Sequence, residues 1–189
     1  MALNVKINFE ERYKIDTVSD NLSSSSFQTI LKDGSNVQLG VQISDEMHPL
    51  MPDVYNLAFG PLNEQGEIDD KAKLAHANHS KVFSTILFAG MTFLTENDNT
   101  FLGIDGSNNS RAYLYYRCIQ NNFDYLAKYF KIYGVNYYVR ILRKEQEEDQ
   151  ASPIDCENII ALPQLIKAGE HIPHDKLYNY FIFNIIKER

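Results

Sequence analysis

The sequence predicts an α+β fold, a mostly antiparallel sheet with two principal helices in the order β-β-β-β-α-β-α-β-β. Apolar and polar residues alternate at period two in segments between residues 13 and 59, the pattern of half-buried strands. The apolar spacing becomes helical from residue 78, and strand-type alternation returns at residues 135 and 177. Two helices that must cover one face of such a sheet give an α+β architecture.

Four strands are predicted before the first helix. They are residues 13–18, 27–32, 37–43 and 54–59. The serine run 23–26 and the Asp-Gly-Ser sequence at 33–35 have turn chemistry, so the second strand is the middle of a meander. Gly60 and Pro61 close the fourth strand.

The first helix is predicted over residues 78–95. Val82, Ile86 and Phe93 recur at helical spacing, which predicts that all three are buried against the sheet. Either Asn78 or Ser80 can cap the start of the helix, because both side chains accept hydrogen bonds from free backbone N–H groups.

A strand at residues 100–104 and a second helix follow. The helix runs through Ala112 and Ile119, pauses near residues 121–122 and resumes at Phe123. We expect it to stop at Gly134, because glycine readily adopts the left-handed conformation found after helices.

The last part of the chain completes a single domain over residues 1–189. Residues 135–142 alternate as a strand, and residues 144–152 read as an acidic linker. Residues 159–166 are ambiguous because Pro163 interrupts them. Residues 177–186 are apolar on both faces, which predicts a central or covered strand.

Composition excludes several classes of function. Eighteen basic against 25 acidic residues give a net charge of −7 and argue against a nucleic-acid-binding surface. The N-terminal residues lack the apolar core of a signal peptide, and the longest apolar run is too short and polar to cross a membrane. Cys118 and Cys156 lie far apart without metal-site spacing, which favours a reducing cytoplasm.

The most specific candidate site is the turn that follows the strand at 100–104. A strand that ends in such a turn and opens a helix brings free backbone N–H groups and the positive end of the helix dipole to one spot. The sequence therefore predicts an anion-binding cleft there. Its ligand-binding residues are Gly106, Ser107, Asn108, Asn109 and Arg111.

Alternative interpretations stay open for this turn and for other polar clusters. Ser107, Asn108 or Asn109 can simply cap the helix. The carboxylates at 66–70 lack the spacing of a calcium loop and are expected to face water. The histidine pairs His76/His79 and His171/His174 have a spacing suited to two metal ligands but lack an evident third, so no metal is predicted.

One resemblance concerns the second helix. Asn108, Arg111, Ala112, Leu114 and Tyr115 are spaced as in the last helix of the GNAT-type N-acetyltransferases. The resemblance implies cofactor and acyl-transfer roles for Asn108 and Tyr115. Residues 76–81, where that family has its glycine-spaced pyrophosphate loop, contain no glycine, so no cofactor is predicted; acetyl-coenzyme A enters only if the chain is an acyltransferase.

A closer resemblance is to a family of small bacterial proteins of unknown function. It covers roughly residues 52–143 and implies no activity. The motifs that carry it are VYNLAFG at 54–60, GEIDD at 66–70, SKVF at 80–83 and the Gly106-Ser107 turn with Arg111.

We expect a cytoplasmic binding or interaction module that takes a small anionic ligand or a protein segment in the cleft at 106–111. One alternative is a GNAT-like acyltransferase in which Tyr115 protonates the leaving thiolate. Another is a protein-interaction or homodimerisation module without a ligand, paired through the edge of the strand at 177–186.

Overall fold

The computed structural model describes residues 4–69, 72–106, 108–141, 154–173 and 176–187, without the side chains of residues 140–141 and 154–158. The strands are β1 (Thr17–Val18), β2 (Ser24–Ile30), β3 (Asn36–Met47), β4 (Val54–Pro61), β5 (Phe101–Asp105), β6 (Phe130–Ile141), β7 (Ile154–Leu165) and β8 (Tyr180–Ile185). The helices are α1 (His79–Glu96), α2 (Asn109–Asn121) and α3 (Phe123–Leu126). The predicted α+β class is confirmed.

All eight strands form one sheet in the order β1-β2-β3-β4-β5-β8-β6-β7. Neighbouring strands are antiparallel except β4 and β5, which run parallel. A parallel pair needs a crossover connection, and α1 supplies it.

The strand β8 is central, as its apolar pattern predicts. It pairs with β5 on one side and β6 on the other, so neither edge is open. The expectation of a homodimer through this edge is therefore wrong, because a strand with two bonded neighbours has no backbone groups left for a second copy. A homodimer through another surface stays a prediction.

The main core lies between the helices and one face of the sheet. All three helices contribute to it, and Phe27, Leu94 and Leu126 within it are fully buried. Val82, Ile86 and Phe93 are 3%, 1% and 8% exposed, which confirms the predicted buried face of α1. A smaller apolar cluster on the opposite face is built from strand and loop residues, among them Met51 and Ile182.

The N-terminal segment contributes to this core without forming the strand expected at 13–18, of which only Thr17–Val18 pairs. Its backbone is held instead by side chains of the helices. The N–H of Ile7 donates to Asn122 Oδ1 at 2.7 Å, and the N–H of Tyr13 donates to Thr85 Oγ1 at 2.9 Å. These bonds hold the segment against α1 and against the junction of α2 and α3.

The serine run at 23–26 was expected to be a turn, and this is wrong for Ser24, Ser25 and Ser26. These residues pair with β3, and Ser25 and Ser26 are buried. The turn at 33–35 is confirmed, with Gly34 at a φ of +86° and the Ser35 N–H bonded to Asp33 Oδ1.

The helix end expected at Gly134 is also wrong. The helical segment stops at Leu126, and Gly134 lies inside β6. A Cβ at Gly134 would lie 2.1 Å from Cδ2 of Tyr178, so the glycine is needed because an aromatic ring packs on the strand, and not because a helix ends there.

The ambiguous segment 159–166 belongs to β7, a strand missing from the predicted order. Pro163 is tolerated because β7 is an edge strand that pairs only with β6. The acidic linker at 144–152 lies outside the described residues. In the described part of the chain, no helix is long and apolar enough to cross a membrane.

Candidate functional site

A cleft opens where the two parallel strands separate. β4 and β5 pair over Val54–Phe101, Tyr55–Leu102 and Asn56–Gly103 only. Beyond this point both strands continue, β4 to Pro61 and β5 to Asp105, without further pairing between them in the described chain. The space between the diverging ends must be filled by other elements or stay open.

The structure leaves much of this space open, as a cavity of about 1280 Å³ that we call the cleft. Its walls come from β4, from the segment between β4 and α1, from the start of α1 and from the β5–α2 connection with the first turns of α2. Among the lining residues are Asn56, Phe59, Asp69, Lys73, His76, His79, Val82, Phe83, Ile104, Asp105, Asn108, Asn109, Ser110, Arg111 and Tyr115.

The start of α2 is one wall of the cleft. The Asn108 side chain caps the helix, because its Oδ1 accepts the N–H of Arg111 at 3.0 Å. The preceding two N–H groups, those of Asn109 and Ser110, have no protein acceptor among the described residues. These two groups carry the positive end of the helix dipole and belong to exposed residues.

The predicted ligand-binding residues have different surroundings. Asn108, Asn109 and Arg111 line the cleft. Gly106 is buried, and its N–H donates to the carbonyl of Asn179 at 2.8 Å, so this amide is already occupied. Ser107 lies outside the described residues. Tyr115, the candidate acid of an acyltransferase, also lines the cleft.

Two histidines form the opposite wall. The rings of His76 and His79 lie edge to face with centroids 5.6 Å apart. His76 is only 9% exposed, and its Nδ1 has no hydrogen-bond partner within the described part of the chain. Burial lowers the pKa of both imidazoles; the neighbouring His79 lowers that of His76 further, and Lys32 lowers that of His79. Both rings are therefore neutral near pH 7.

A hydrogen bond crosses the sheet at the point where the strands separate. The Tyr180 hydroxyl lies over Gly103, where a Cβ would be 1.9 Å from its oxygen, and donates to Asn56 Oδ1 at 3.3 Å. Burial, with Tyr137 and Asp105 nearby, raises the pKa of Tyr180, so this hydroxyl stays protonated. The bond occupies the Asn56 oxygen and fixes this side chain at the edge of the cleft.

A second, smaller cavity lies behind the cleft and is called the inner cavity. Its volume is about 30 Å³, and its walls are apolar side chains with one thiol. Phe59, Phe83, Ile104 and Tyr115 line both spaces. Burial raises the pKa of the Cys118 thiol to about 12, so the thiol stays neutral there.

The other clusters noted in the sequence form no site. In the described residues, no group of three or more histidine, cysteine or carboxylate side chains could hold a metal ion. Glu67 and Asp69 are exposed, and Asp70 lies outside the described chain. His171 is exposed, and its expected partner His174 also lies outside it.

Sequence reasoning missed Asn56 and Lys73 as cleft residues and considered the His76/His79 pair only as metal ligands. A usable signal for Asn56 existed, because it is a polar amide within the VYNLAFG motif on a largely apolar strand. Lys73 carried none, because it lies in an irregular segment that only the tertiary fold brings to the cleft.

Comparison with known proteins gives one match. The model of a family of unknown function, DUF6934, matches residues 9–150. No curated protein and no solved structure matches the chain. All of the described residues that line the cleft lie within the matched range.

Proposed function

The chain belongs to DUF6934, a family of unknown function, and from this premise we propose that it is a binding module whose cleft takes a small anionic ligand. The observation that carries the proposal is the start of α2, where the N–H groups of Asn109 and Ser110 have no acceptor among described residues and both residues line a cavity of about 1280 Å³. A helix start with unused N–H groups favours a negative group.

The charged side chains around the cleft cancel, so an anion would be held by directed hydrogen-bond donors and not by net charge. Arg111 and Lys73 contribute positive charge, and Asp69 and Asp105 contribute negative charge. The formal charges therefore balance, in a protein of net charge −7. Selectivity for an anion then comes from donors at fixed positions, namely the α2 amides and the guanidinium of Arg111.

The test is calorimetric titration of the full chain with inorganic phosphate and with acetate. Arg111→Ala should weaken binding by at least about 1.5 kcal/mol, the low end for a charge-assisted hydrogen bond. The melting temperature should hardly change, because the cap bond uses the backbone N–H of residue 111.

The matched control is Arg117→Ala on the same helix. Arg117 lies over the ring of Tyr113, with its Cζ 5.6 Å from the centroid, and is not part of the cleft wall. Equal weakening by both variants would indicate nonspecific attraction. A silent Arg111→Ala would mean that the start of α2 is only capped by Asn108 and binds nothing.

Acyl transfer is the second candidate function. The observation in its favour is that Asn108 and Tyr115, to which the resemblance to acetyltransferases gives cofactor and acyl-transfer roles, both line the cleft. The missing glycines at 76–81 stand against tight binding of a pyrophosphate. We expect no binding of acetyl-coenzyme A at micromolar concentration by calorimetry. A micromolar or tighter Kd would place acyl transfer first.

The cellular location belongs to the same proposal. The absence of cysteine spacing for a disulfide framework supports a reducing cytoplasm.

A further inference from the structure

The inner cavity lies next to the cleft and differs from it in chemistry. The cleft combines charged and amide groups with apolar side chains, whereas the inner cavity is lined by apolar side chains such as Ile86, Ile119 and Leu126. Small cavities with apolar walls stay dry. An apolar ligand group that enters such a cavity from the cleft gains van der Waals contacts with its walls.

The two spaces share lining side chains, among them three aromatic rings. Phe59 packs edge to face on Phe83 at 6.0 Å between centroids and is tilted against Tyr115 at 6.4 Å. All three rings are only partly buried, because they face the cleft. Rings at such a boundary can change rotamer without moving the backbone.

Residues on successive turns of α2 line first the cleft and then the inner cavity. Arg111 lies in the cleft wall, Tyr115 one turn later lines both spaces, and Cys118 lines the inner cavity. Residues at this spacing share one face of a helix. The distance along the axis from Arg111 to Cys118 is about 10 Å at the rise of an α-helix.

We propose that the ligand of the cleft is a medium-chain carboxylate, with its head at the start of α2 and the end of its alkyl tail in the inner cavity. This inference rests on the proposed function. A carboxylate matches the donors at the head, and a tail of medium length spans the distance to the cavity. The volume of about 30 Å³ has room for only the last one or two carbons.

The experiment uses the full chain and the sodium salts of acetate, butyrate, hexanoate, octanoate and decanoate in calorimetric titrations. Affinity should stay flat for the shortest acids, which do not reach the cavity. It should then rise about fourfold for each methylene that becomes buried. The rise should end when the cavity is full.

Two substitutions of Cys118 test where the tail goes. Cys118→Ala enlarges the inner cavity and should move the best chain length upward. Cys118→Leu fills the cavity and should move it downward; if that variant does not fold, the alanine variant alone decides. Arg111→Ala should weaken all the acids by the same factor and leave the chain-length profile unchanged.

The outcomes separate this inference from the proposed function. If acetate and phosphate bind but hexanoate and octanoate bind no more tightly than acetate, the anion site stands and the tail assignment is overturned. The tail assignment is also overturned if Cys118→Ala leaves the chain-length profile unchanged. If neither phosphate nor any carboxylate binds, the proposed function fails and this inference fails with it.

Discussion

The packed layer between helices and sheet and the cleft at the diverging ends of β4 and β5 are built from the same strands but differ in how far they exclude water. In the packed layer, residues such as Phe27, Leu94 and Leu126 are completely excluded from water. In the cleft, the N–H groups of Asn109 and Ser110 and the Nδ1 of His76 have no partner among described residues. Water can bond the N–H groups of the exposed residues Asn109 and Ser110, whereas an unpartnered atom of the buried His76 ring costs stability. The difference predicts that substitutions in the packed layer change stability, whereas exposed cleft residues can be changed with little loss of stability.

The largest effect is expected from a cavity in the packed layer. Leu94→Ala on α1 should lower the free energy of unfolding by about 2–5 kcal/mol, because Leu94 is 0% exposed and its neighbours close the space only in part. Urea denaturation measures the loss. The neighbouring Thr95→Ala is the control, since Thr95 is exposed and should change stability by less than about 0.5 kcal/mol. Equal effects of the two variants would contradict the burial of this face.

The next effect concerns the close contact in the sheet. Gly134→Ala should cost about 1–3 kcal/mol, because the new Cβ would meet the ring of Tyr178. Tyr178→Ala in the same chain should make Gly134→Ala nearly neutral, because the ring is then gone. If the glycine substitution costs as much with the ring as without it, the contact does not explain the glycine.

The sequence predicts the parts of the fold that depend on local periodicity. The face of α1 with Val82 and Ile86 and the central position of β8 follow from apolar spacing alone. The failures occur where tertiary contacts override a local signal. Gly134 has the chemistry of a helix end, yet the ring of Tyr178, which is distant in the sequence, requires a glycine within a strand.

The candidate site was predictable only in part. The cap at Asn108 and the position of Arg111 follow from the turn and helix signals. Asn56 and Lys73 reach the cleft only because β4 and β5 run parallel and then separate, which is a property of strand order. Side-chain pairs such as Tyr180 and Asn56, which are 124 residues apart, leave no trace in local patterning.

A smaller effect should come from the cap at the cleft. Asn108→Ala should lower stability by about 1 kcal/mol, because the N–H of Arg111 loses the acceptor that holds the first turn of α2. Asn109→Ala is the matched control, since Asn109 is equally exposed and its side chain makes no cap bond. Thermal denaturation compares the two variants. A larger loss for Asn109→Ala would mean that the helix begins elsewhere.

The smallest effect is expected from pH. The free energy of unfolding should change gradually with pH because the cleft histidines titrate. Burial lowers the pKa of His76 and of His79, so the folded chain binds fewer protons than the unfolded chain as the pH falls below about 6.5. Stability should therefore be fully present above this pH and decrease below it, as protonation favours the unfolded state. Burial also lowers the pKa of His48, whose ring lies against Tyr137 and Tyr180 away from the cleft and adds to the slope with the same sign.

His76→Asn separates these contributions, because asparagine keeps a polar group but does not titrate. Urea denaturation between about pH 5.5 and 7.5, above the range where carboxylates titrate, should show a shallower slope for this variant than for the unchanged chain. His171→Asn is the control, since His171 is exposed and lies outside the cleft wall. An unchanged slope in His76→Asn would mean that the buried imidazole accepts a proton in the folded state as easily as in the unfolded one. That result would mean that water reaches the His76 ring. It would disagree with the burial of His76 and with the lack of a partner for its Nδ1 among the described residues.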